Sequence, residues 1–133
     1  HAPLSLVFFD IDNFKRINDV YGHSHGDSVL SEIGELTRSV ARQSDVPARY
    51  GGEEFAIILP STPSEGAMEV ATRLGRIIRQ HRFKSLDGEQ ITISAGISTF
   101  QDNGVQSCDQ LLQRADKAMY QAKAQGKDRV VQA

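Results

Sequence analysis

The chain has 133 residues, of which 39% are hydrophobic, so it is long enough to form one globular domain with a single core. Its formal net charge of -2 argues against duplex DNA and other long polyanions, which usually select a basic face, and we expect no nucleic-acid partner. Its apolar runs have the length of strands and fall short of the ~20 residues that cross a bilayer, so we expect no membrane contact by this domain.

The first half of the chain predicts a strand, a helix and a hairpin. "LSLVFFDID" (4–12) is an apolar run that turns polar at its end, as a buried strand does. The polar segment "NFKRINDVYGHSHGD" follows, and apolar residues at helical spacing predict a helix from about Asp27 to Arg42. "VPARY" and "EFAIIL" are predicted as short strands joined by Gly51 and Gly52, a strong two-residue hairpin signal.

The second half predicts two further helices and two strands. "STPSEGAMEVATRLGRIIRQH" has Ser/Thr capping candidates and a proline near its first turn, which is typical of a helix start. "DGEQ" is a turn, and "ITISAGISTF" alternates as a strand does. The last helix runs from about Cys108 to Gln125, with Ser107 as a candidate N-cap and Gly126 where helices commonly stop. "DRVVQA" is predicted as a closing edge strand.

The predicted order is β-α-β-β-α-β-α-β, and its first six elements match the ferredoxin-like βαββαβ plan. This order predicts an α+β fold in which helices pack on one side of a mainly antiparallel sheet. In that plan the first strand is a neighbour of the central hairpin, so residues at the end of the strand and at the hairpin turn come together.

Four acidic residues lie where these two strands meet. Asp10 and Asp12 end the first strand, and Glu53 and Glu54 follow the glycine turn. Neighbouring carboxylates repel, which raises some of their pKa values in an unliganded cluster. Mg²⁺ reverses this effect, because it prefers oxygen ligands and commonly takes one or two carboxylates plus substrate phosphates. Solvated strand-end acids are the alternative, which is favoured for any one of the four alone but not for all of them together.

Strand geometry predicts which of these acids can bind the same metal ion. Side chains alternate between faces, so Asp10 and Asp12 can share a face, whereas Glu53 and Glu54 ordinarily cannot. We therefore expect Glu53 to be the more certain metal ligand. Glu54 is expected to reach the metal only through the twist of the strand beside the turn, or to support the ligands without contacting the metal. Gly51 and Gly52 have two explanations: the positive φ of a tight turn, or a bare backbone against which a base or sugar lies.

At this point the residues resemble a known family. "FFDIDNFKRINDVYGHSHGD" and "RYGGEEF" resemble the GGDEF domain of diguanylate cyclases, with Glu in place of the motif's Asp, and the resemblance continues through "SAGIS" and "ADKAMYQAKAQGKDRV". It implies a palm-type fold and a single catalytic domain over residues 1–133. It also implies that the chain lacks the helix and the D-x-L-T-G-L-x-N-R segment that family members carry before the first strand, together with an upstream regulatory module.

The resemblance implies an activity and its requirements. The family condenses two GTP molecules into cyclic di-GMP and two pyrophosphates, with two Mg²⁺ or Mn²⁺ ions per active site. Each protomer holds one GTP, so catalysis requires a homodimer with opposed active sites, usually assembled by an upstream sensory domain. A cytoplasmic location is expected, for a free protein or for the cytoplasmic part of a membrane-anchored one, and the single cysteine, Cys108, suits that reducing compartment.

The resemblance also assigns roles to residues. The metal would be held by Asp10, the carbonyl of Ile11 and Glu53, with Glu54 assisting; Glu53, Glu54, Lys123 and Lys127 are the implied catalytic residues. Guanine would be bound by Asn18 and Asp27, the nucleotide would lie against Gly51 and Gly52, and phosphates would meet Lys15 and the backbone N–H groups of Asn13, Phe14 and Lys15. The family usually has Arg where Lys127 stands. A guanidinium that can donate two parallel hydrogen bonds to one phosphate is thus replaced by an ammonium with a single localised charge.

An inhibitory product site is implied as well. The family has R-x-x-D upstream of the hairpin, and "RQSD" supplies Arg42 and Asp45, with Arg73 on the next helix as a secondary contact. Cyclic di-GMP would bind there as a stacked dimer and slow turnover. A helix-ending arginine paired with a nearby aspartate is the alternative explanation of this motif.

Three other functions remain open to the sequence. A non-catalytic receptor for cyclic di-GMP or GTP would use Arg42 and Asp45, but such a receptor needs no metal site. A domain that keeps only the fold for structural or partner-binding purposes would not bind GTP. An adenylyl or guanylyl cyclase is disfavoured by Asn18 and Asp27 as guanine-binding residues and by the position of the R-x-x-D motif relative to the hairpin.

Overall fold

The computed structural model describes residues 2–100 and 107–133, and these form a five-stranded sheet with four helices and one 3₁₀ turn at Lys84–Leu86. The strands are β1 (Leu4–Ile11), β2 (Val46–Arg49), β3 (Glu54–Pro60), β4 (Ile93–Phe100) and β5 (Arg129–Gln132). The helices are α1 (Phe14–Tyr21), α2 (His23–Val40), α3 (Ser64–Gln80) and α4 (Cys108–Ala124). No helix in the described ranges has the length and apolar character needed to span a bilayer.

The sheet has the strand order β2-β3-β1-β4-β5. β1 is antiparallel to both β3 and β4, β2 is antiparallel to β3, and β5 is parallel to β4. The α+β class, the mainly antiparallel sheet and the adjacency of β1 to the hairpin are therefore confirmed. β1 is the central strand, and it is buried from Ser5 to Ile11.

The helices cover both faces of the sheet. Val7, Phe9 and Ile11 of β1 point into a core formed with α1, α2 and α3, and Phe9 stacks on Phe55 at 5.1 Å. Alternate residues of the same strand, Leu6 and Phe8, pack on the other face against α4. The one-sided arrangement predicted for the six-element core thus holds for its own helices, and α4 encloses the opposite face.

The polar segment after β1 is helical, which the sequence did not predict. Phe14 and Ile17 are buried one turn apart, and Tyr21 packs on the same core, so α1 presents a narrow apolar stripe. Gly22 separates α1 from α2 with a φ of 95°, a value that glycine adopts without steric cost. α2 consequently begins at His23, four residues before the predicted start.

The two later helices begin differently. At α4 the predicted cap is confirmed, since Ser107 Oγ accepts a hydrogen bond from the Gln110 N–H at 3.2 Å. At α3 the N-cap is Pro63, and no side chain caps the helix there.

Candidate active site

The ends of β1 and β3 bring the predicted metal ligands together. Asp10 and Glu54 are register partners across the two strands, and the Ile11 N–H donates to the Glu53 carbonyl at 3.3 Å. Glu53 lies in the turn before β3 begins, so strand alternation does not govern its direction. The register sets Glu54 directly beside Asp10, so both glutamates have their backbone next to the end of β1.

Asp10 is the electrostatic centre of this group. Burial raises the pKa of Asp10 from its ordinary 3.8 to about 7; the Lys123 ammonium opposes the rise, and the charge and hydrogen bonding of Glu53 add to it. The pKa of Glu54 is also raised, by burial and by the charges of Asp10 and Asp116, against Lys123. Burial is therefore the main reason that the pKa of both acids is raised, and repulsion between the carboxylates adds to it.

Lys123, in the last turn of α4, is the cation nearest these acids. Its Nζ lies 3.5 Å from Asp10 Oδ2 and 3.5 Å from Asp12 Oδ1. Asp12 has a different environment from Asp10, because both of its oxygens accept hydrogen bonds: from Thr92 just before β4, from Ser94 on β4 and from the Asp128 N–H just before β5. The structure thus separates the two aspartates of the first strand, which the sequence placed in one cluster.

The donor set fits a divalent cation that also binds a substrate. Asp10 Oδ1 is buried and has no hydrogen-bond partner among the described residues. Within 2–100 and 107–133, no group of three or more His, Cys, Asp or Glu side chains is arranged to hold a metal ion by itself. Mg²⁺ commonly takes only one or two carboxylates and completes its octahedron with phosphates and water, so this small set suits it.

The hairpin turn is longer than predicted and does not need positive φ at its glycines. Four residues, 50–53, connect β2 to β3, and the N–H groups of Tyr50 and Gly51 both donate to the Glu54 carbonyl, at 2.8 and 3.2 Å. Neither Gly51 nor Gly52 has positive φ, so the tight-turn explanation is wrong. A Cβ at Gly51 would lie 2.6 Å from Glu54 Oε1, and the bare backbone there makes room for that carboxylate.

An arginine that the sequence did not single out holds this turn. Arg49 Nε donates to the Gly51 carbonyl at 3.1 Å, and its Nη2 donates to the Gly52 carbonyl at 2.6 Å. Because the two glycines have no side chains, their carbonyl groups are open to such hydrogen bonds. An arginine at the end of the strand before the glycine pair is the one feature of the sequence that could have indicated this interaction.

The start of α1 and the turn before β5 meet beside Asp12. Asn13 occupies the N-cap of α1 with a φ of 58° and makes no side-chain cap, so first-turn N–H groups of the helix remain available. Its Oδ1 instead accepts a hydrogen bond from Lys127 Nζ at 2.7 Å. Phe14 is buried at this helix start, and Lys15 is exposed. Helix N-termini are suited to phosphate groups.

A cleft of about 540 Å³ lies between α2 and the β2–β3 hairpin. Its lining includes Asp27, Leu30, Arg49 and Phe55. Asn18 is not among the lining residues; its side chain lies over Gly26, where an added Cβ would be 1.9 Å from Asn18 Oδ1. The two predicted guanine-binding residues therefore flank the first turn of α2, with Asp27 facing the cleft.

Two of the candidate inhibitory residues, Arg42 and Asp45, pair with each other in the segment between α2 and β2. Arg42 Nε and Nη2 donate to the Asp45 carboxylate at 3.2 and 3.1 Å, and Nη2 also bonds Thr62 Oγ1. The Asp45 side chain is fully buried, and its hydrogen bonds raise the pKa of the Arg42 guanidinium. Arg73 Nη2 donates to the Val40 carbonyl at 3.2 Å, so it lies near this group without touching Arg42.

Comparison with known proteins gives concordant results. A family model described as "Diguanylate cyclase, GGDEF domain" matches residues 1–129. Diguanylate cyclase A of Treponema denticola is 44% identical over 131 residues, which cover 96% of this chain and 34% of that protein. The chain spans about a third or less of the length of the first full-length relatives it matches.

Two solved structures share the fold over nearly the whole chain. The active GGEEF domain of a diguanylate cyclase from Vibrio cholerae superposes with a TM-score of 0.92 at 37% identity, covering 98% of this chain and 83% of that one. The GGDEF domain of DgcB from Caulobacter crescentus, in complex with c-di-GMP, gives a TM-score of 0.88 at 31% identity, with 98% and 77% coverage.

Proposed function

Because the chain belongs to the GGDEF-domain family of diguanylate cyclases, we propose that it condenses two GTP molecules into cyclic di-GMP and two pyrophosphates. The observation that carries the proposal is the meeting of Asp10 with Glu53 of the turn and Glu54 of β3, beside Lys123. A buried acid whose Oδ1 lacks a partner among the described residues has a chemical reason to take a cation.

The metal requirement follows from these acids. Two Mg²⁺ or Mn²⁺ ions, held by Asp10, the Ile11 carbonyl and Glu53 with help from Glu54, would neutralise triphosphate charge and lower the pKa of the attacking 3′-hydroxyl. Asp10 must give up its proton to bind, and at neutral pH its raised pKa leaves that proton partly in place. The pKa of Glu54 is raised as well, first by burial and then by the charge of Asp10.

In this proposal the phosphates of GTP are bound by the two lysines and by the start of α1. Lys123 and Lys127 supply positive charge where pyrophosphate leaves, and N–H groups of the first turn of α1 donate to the terminal phosphates. Lys127 Nζ is bonded to Asn13 Oδ1, so it must exchange that amide oxygen for a phosphate oxygen when nucleotide binds. Because a charged acceptor is the stronger partner, the exchange is favourable.

The guanine base would occupy the cleft between α2 and the hairpin. Asp27 lines this cleft, and a carboxylate can accept hydrogen bonds from the ring N–H and amino group of guanine, a pair of donors that adenine lacks. The side chain of Asn18 lies over Gly26, the residue before Asp27, and is the second proposed contact to the guanine base. The arrangement supports GTP over ATP as substrate.

The proposal includes a dimer and product control. Each protomer binds one GTP, so two protomers must oppose their active sites, with an upstream sensory domain favouring that state in the cytoplasm. Cyclic di-GMP would slow the reaction by binding at Arg42, Asp45 and Arg73. The complex of the Caulobacter DgcB domain with c-di-GMP supports product binding by this fold.

The test is a reaction of the protein with GTP and Mg²⁺, followed by pyrophosphate release and by identification of the nucleotide product. We expect pyrophosphate and cyclic di-GMP in a ratio of two to one, no reaction with ATP, and a rate per protomer that rises with protein concentration. Binding of GTP without pyrophosphate release at high protein concentration would instead identify a receptor.

A further inference from the structure

The carboxylate of Asp12 is buried and fully partnered. Its Oδ1 accepts a hydrogen bond from Ser94 Oγ at 2.6 Å; its Oδ2 accepts from Thr92 Oγ1 at 2.7 Å and from the Asp128 N–H at 3.0 Å. Lys123 Nζ lies 3.5 Å from Oδ1, and 1% of the Asp12 side chain is exposed. These partners fix the carboxylate in one position, because each of them would lose free energy if left unpaired in the interior.

One of these partners belongs to an unusual turn. Lys127 and Asp128 have φ values of 66° and 49°, two consecutive non-glycine residues in the left-handed region. Such residues are strained and persist only where surrounding contacts require them. Two contacts do so here: the Asp128 N–H donates to Asp12, and the Lys127 N–H donates to the Ala122 carbonyl at 3.0 Å.

Asp12 therefore fixes two lysines from one point. It holds Lys123 directly, on the side where Asp10 Oδ2 lies 3.5 Å from the same ammonium. It holds Lys127 through the turn, in the conformation that lets Lys127 Nζ reach Asn13 Oδ1 at the start of α1. A metal-ligand role does not suit Asp12, since both oxygens already have partners, whereas Asp10 Oδ1 has none among the described residues.

We propose that Asp12 is a positioning residue for triphosphate binding: its buried carboxylate sets Lys123 and the Lys127–Asp128 turn at the phosphate end of the site. This inference rests on the proposed function, because the lysines act on a nucleoside triphosphate. Loss of the Asp12 charge leaves Asp10 as the charged carboxylate nearest Lys123, and it weakens the hydrogen bond that holds the left-handed turn, because a charged acceptor is the stronger partner. Both changes withdraw positive charge from the phosphates.

Titration calorimetry with the α,β-methylene analogue of GTP and Mg²⁺ tests the inference, since this analogue cannot release pyrophosphate. The variants are Asp12→Asn, Lys123→Ala, their combination, and Thr92→Val as matched control, which removes one hydrogen bond to Asp12 but leaves its charge. We expect each of the first two to bind about tenfold more weakly, and their combination to bind clearly less than about 100-fold more weakly, because the part of the Asp12 effect that is exerted through Lys123 is counted only once. Thr92→Val should lower the melting temperature and leave affinity within about twofold.

The outcomes separate the inference from the proposed function. Wild-type protein that fails to bind the analogue overturns the proposed function and the inference with it. Wild-type binding with unchanged affinity in Asp12→Asn, or additive losses in the double variant, overturns the inference alone. Should Asp12→Asn fail to fold, the double variant Thr92→Val/Ser94→Ala decides, because it removes both hydroxyl groups that fix the carboxylate and keeps its charge: weaker binding of the analogue supports the inference, and unchanged affinity overturns it.

Discussion

Asp10 and Glu54 face each other as register partners across β1 and β3, while Glu53 lies one residue earlier, in the turn. The register leaves Glu54 little freedom to move, because the strand fixes its Cα opposite Asp10. Glu53 is fixed through its backbone, by the hydrogen bond from the Ile11 N–H. Two adjacent glutamates thus approach the same aspartate from a strand and from a turn, which alternation along a single strand would not allow.

The first prediction concerns Asp10→Asn without metal. Burial raises the pKa of Asp10 to about 7, so its contribution to the free energy of unfolding is full below pH 3.8 and is lost as the pH rises through 7. Asp10→Asn avoids this loss and should be more stable than wild type by about 2–4 kcal/mol above pH 7, with a smaller advantage near pH 5. Thermal unfolding in EDTA across this pH range measures the difference.

The control for that experiment is Asp19→Asn, which removes an exposed acid on α1. Its stability relative to wild type should change little between pH 5 and pH 8. Mg²⁺ should raise the melting temperature of wild type and have less effect on Asp10→Asn. An equal advantage of Asp10→Asn at both pH values would show that the charge of Asp10 is not what destabilises the metal-free protein.

Glu53→Ala should lower turnover at least about 100-fold, because a group that stabilises transition-state charge is commonly worth that much. The side chain lies in the turn before β3, so the melting temperature should change by a few degrees at most. Cyclic di-GMP formation and thermal unfolding are the measurements, with Glu65→Ala in the first turn of α3 as the control for losing an acid elsewhere. Full activity in Glu53→Ala would remove it from the metal site.

The sequence predicted the fold better than it predicted the local geometry of the site. Hydrophobic periodicity and the glycine pair were sufficient for the order of the strands along the chain, and the ferredoxin-like plan that they match was sufficient for the adjacency of β1 to the hairpin. α1 was missed because only Phe14 and Ile17 are buried in it. The turn was predicted too short, since both the Tyr50 and Gly51 N–H groups bond the Glu54 carbonyl, a pattern that a two-residue signal does not encode.

The different roles of Asp10 and Asp12 could not be predicted from the sequence. Their spacing puts both on one face of a strand, and spacing alone assigns them the same environment. What distinguishes them comes from far along the chain: Thr92 just before β4, Ser94 on β4 and the Asp128 N–H all donate hydrogen bonds to Asp12. Those contacts depend on how β5 and α4 pack against the rest of the sheet, and the hydrophobic periodicity of a single segment does not predict that packing.

Gly26→Ala should separate helix stability from nucleotide binding. Alanine favours a helix over glycine by about 0.5–1 kcal/mol, but here its Cβ would lie 1.9 Å from Asn18 Oδ1 and must displace that amide. Since Asn18 is a proposed guanine contact, we expect GTP affinity to fall about tenfold, which corresponds to one lost hydrogen bond. Calorimetry with the α,β-methylene analogue and thermal unfolding measure the two effects.

Gly75→Ala is the matched control, because the same substitution within α3 meets no atom within 4 Å. It should show the stability gain and leave nucleotide affinity unchanged. If Gly26→Ala binds the analogue as well as Gly75→Ala does, the side chain of Asn18 is not needed for nucleotide binding.

Arg42→Ala should relieve product inhibition while leaving synthesis intact. The inhibition constant for added cyclic di-GMP should rise at least about tenfold, because an arginine fork to a base or phosphate is among the stronger polar contacts. The structure adds a cost: Arg42 is the cation paired with the fully buried Asp45 side chain, so the free energy of unfolding should fall by about 1–3 kcal/mol. Dose–response curves and thermal unfolding are therefore measured together.

Two further variants distinguish a ligand role from a structural one. Thr62→Val removes one partner of Arg42 without removing the guanidinium, and because less must then be broken to free Arg42, cyclic di-GMP should inhibit at a lower concentration than in wild type. Arg73→Ala leaves the Arg42–Asp45 pair in place and should weaken inhibition without the loss of stability. Inhibition that is unchanged in Arg42→Ala would reduce the motif to a helix-ending ion pair, whose only effect is on folding.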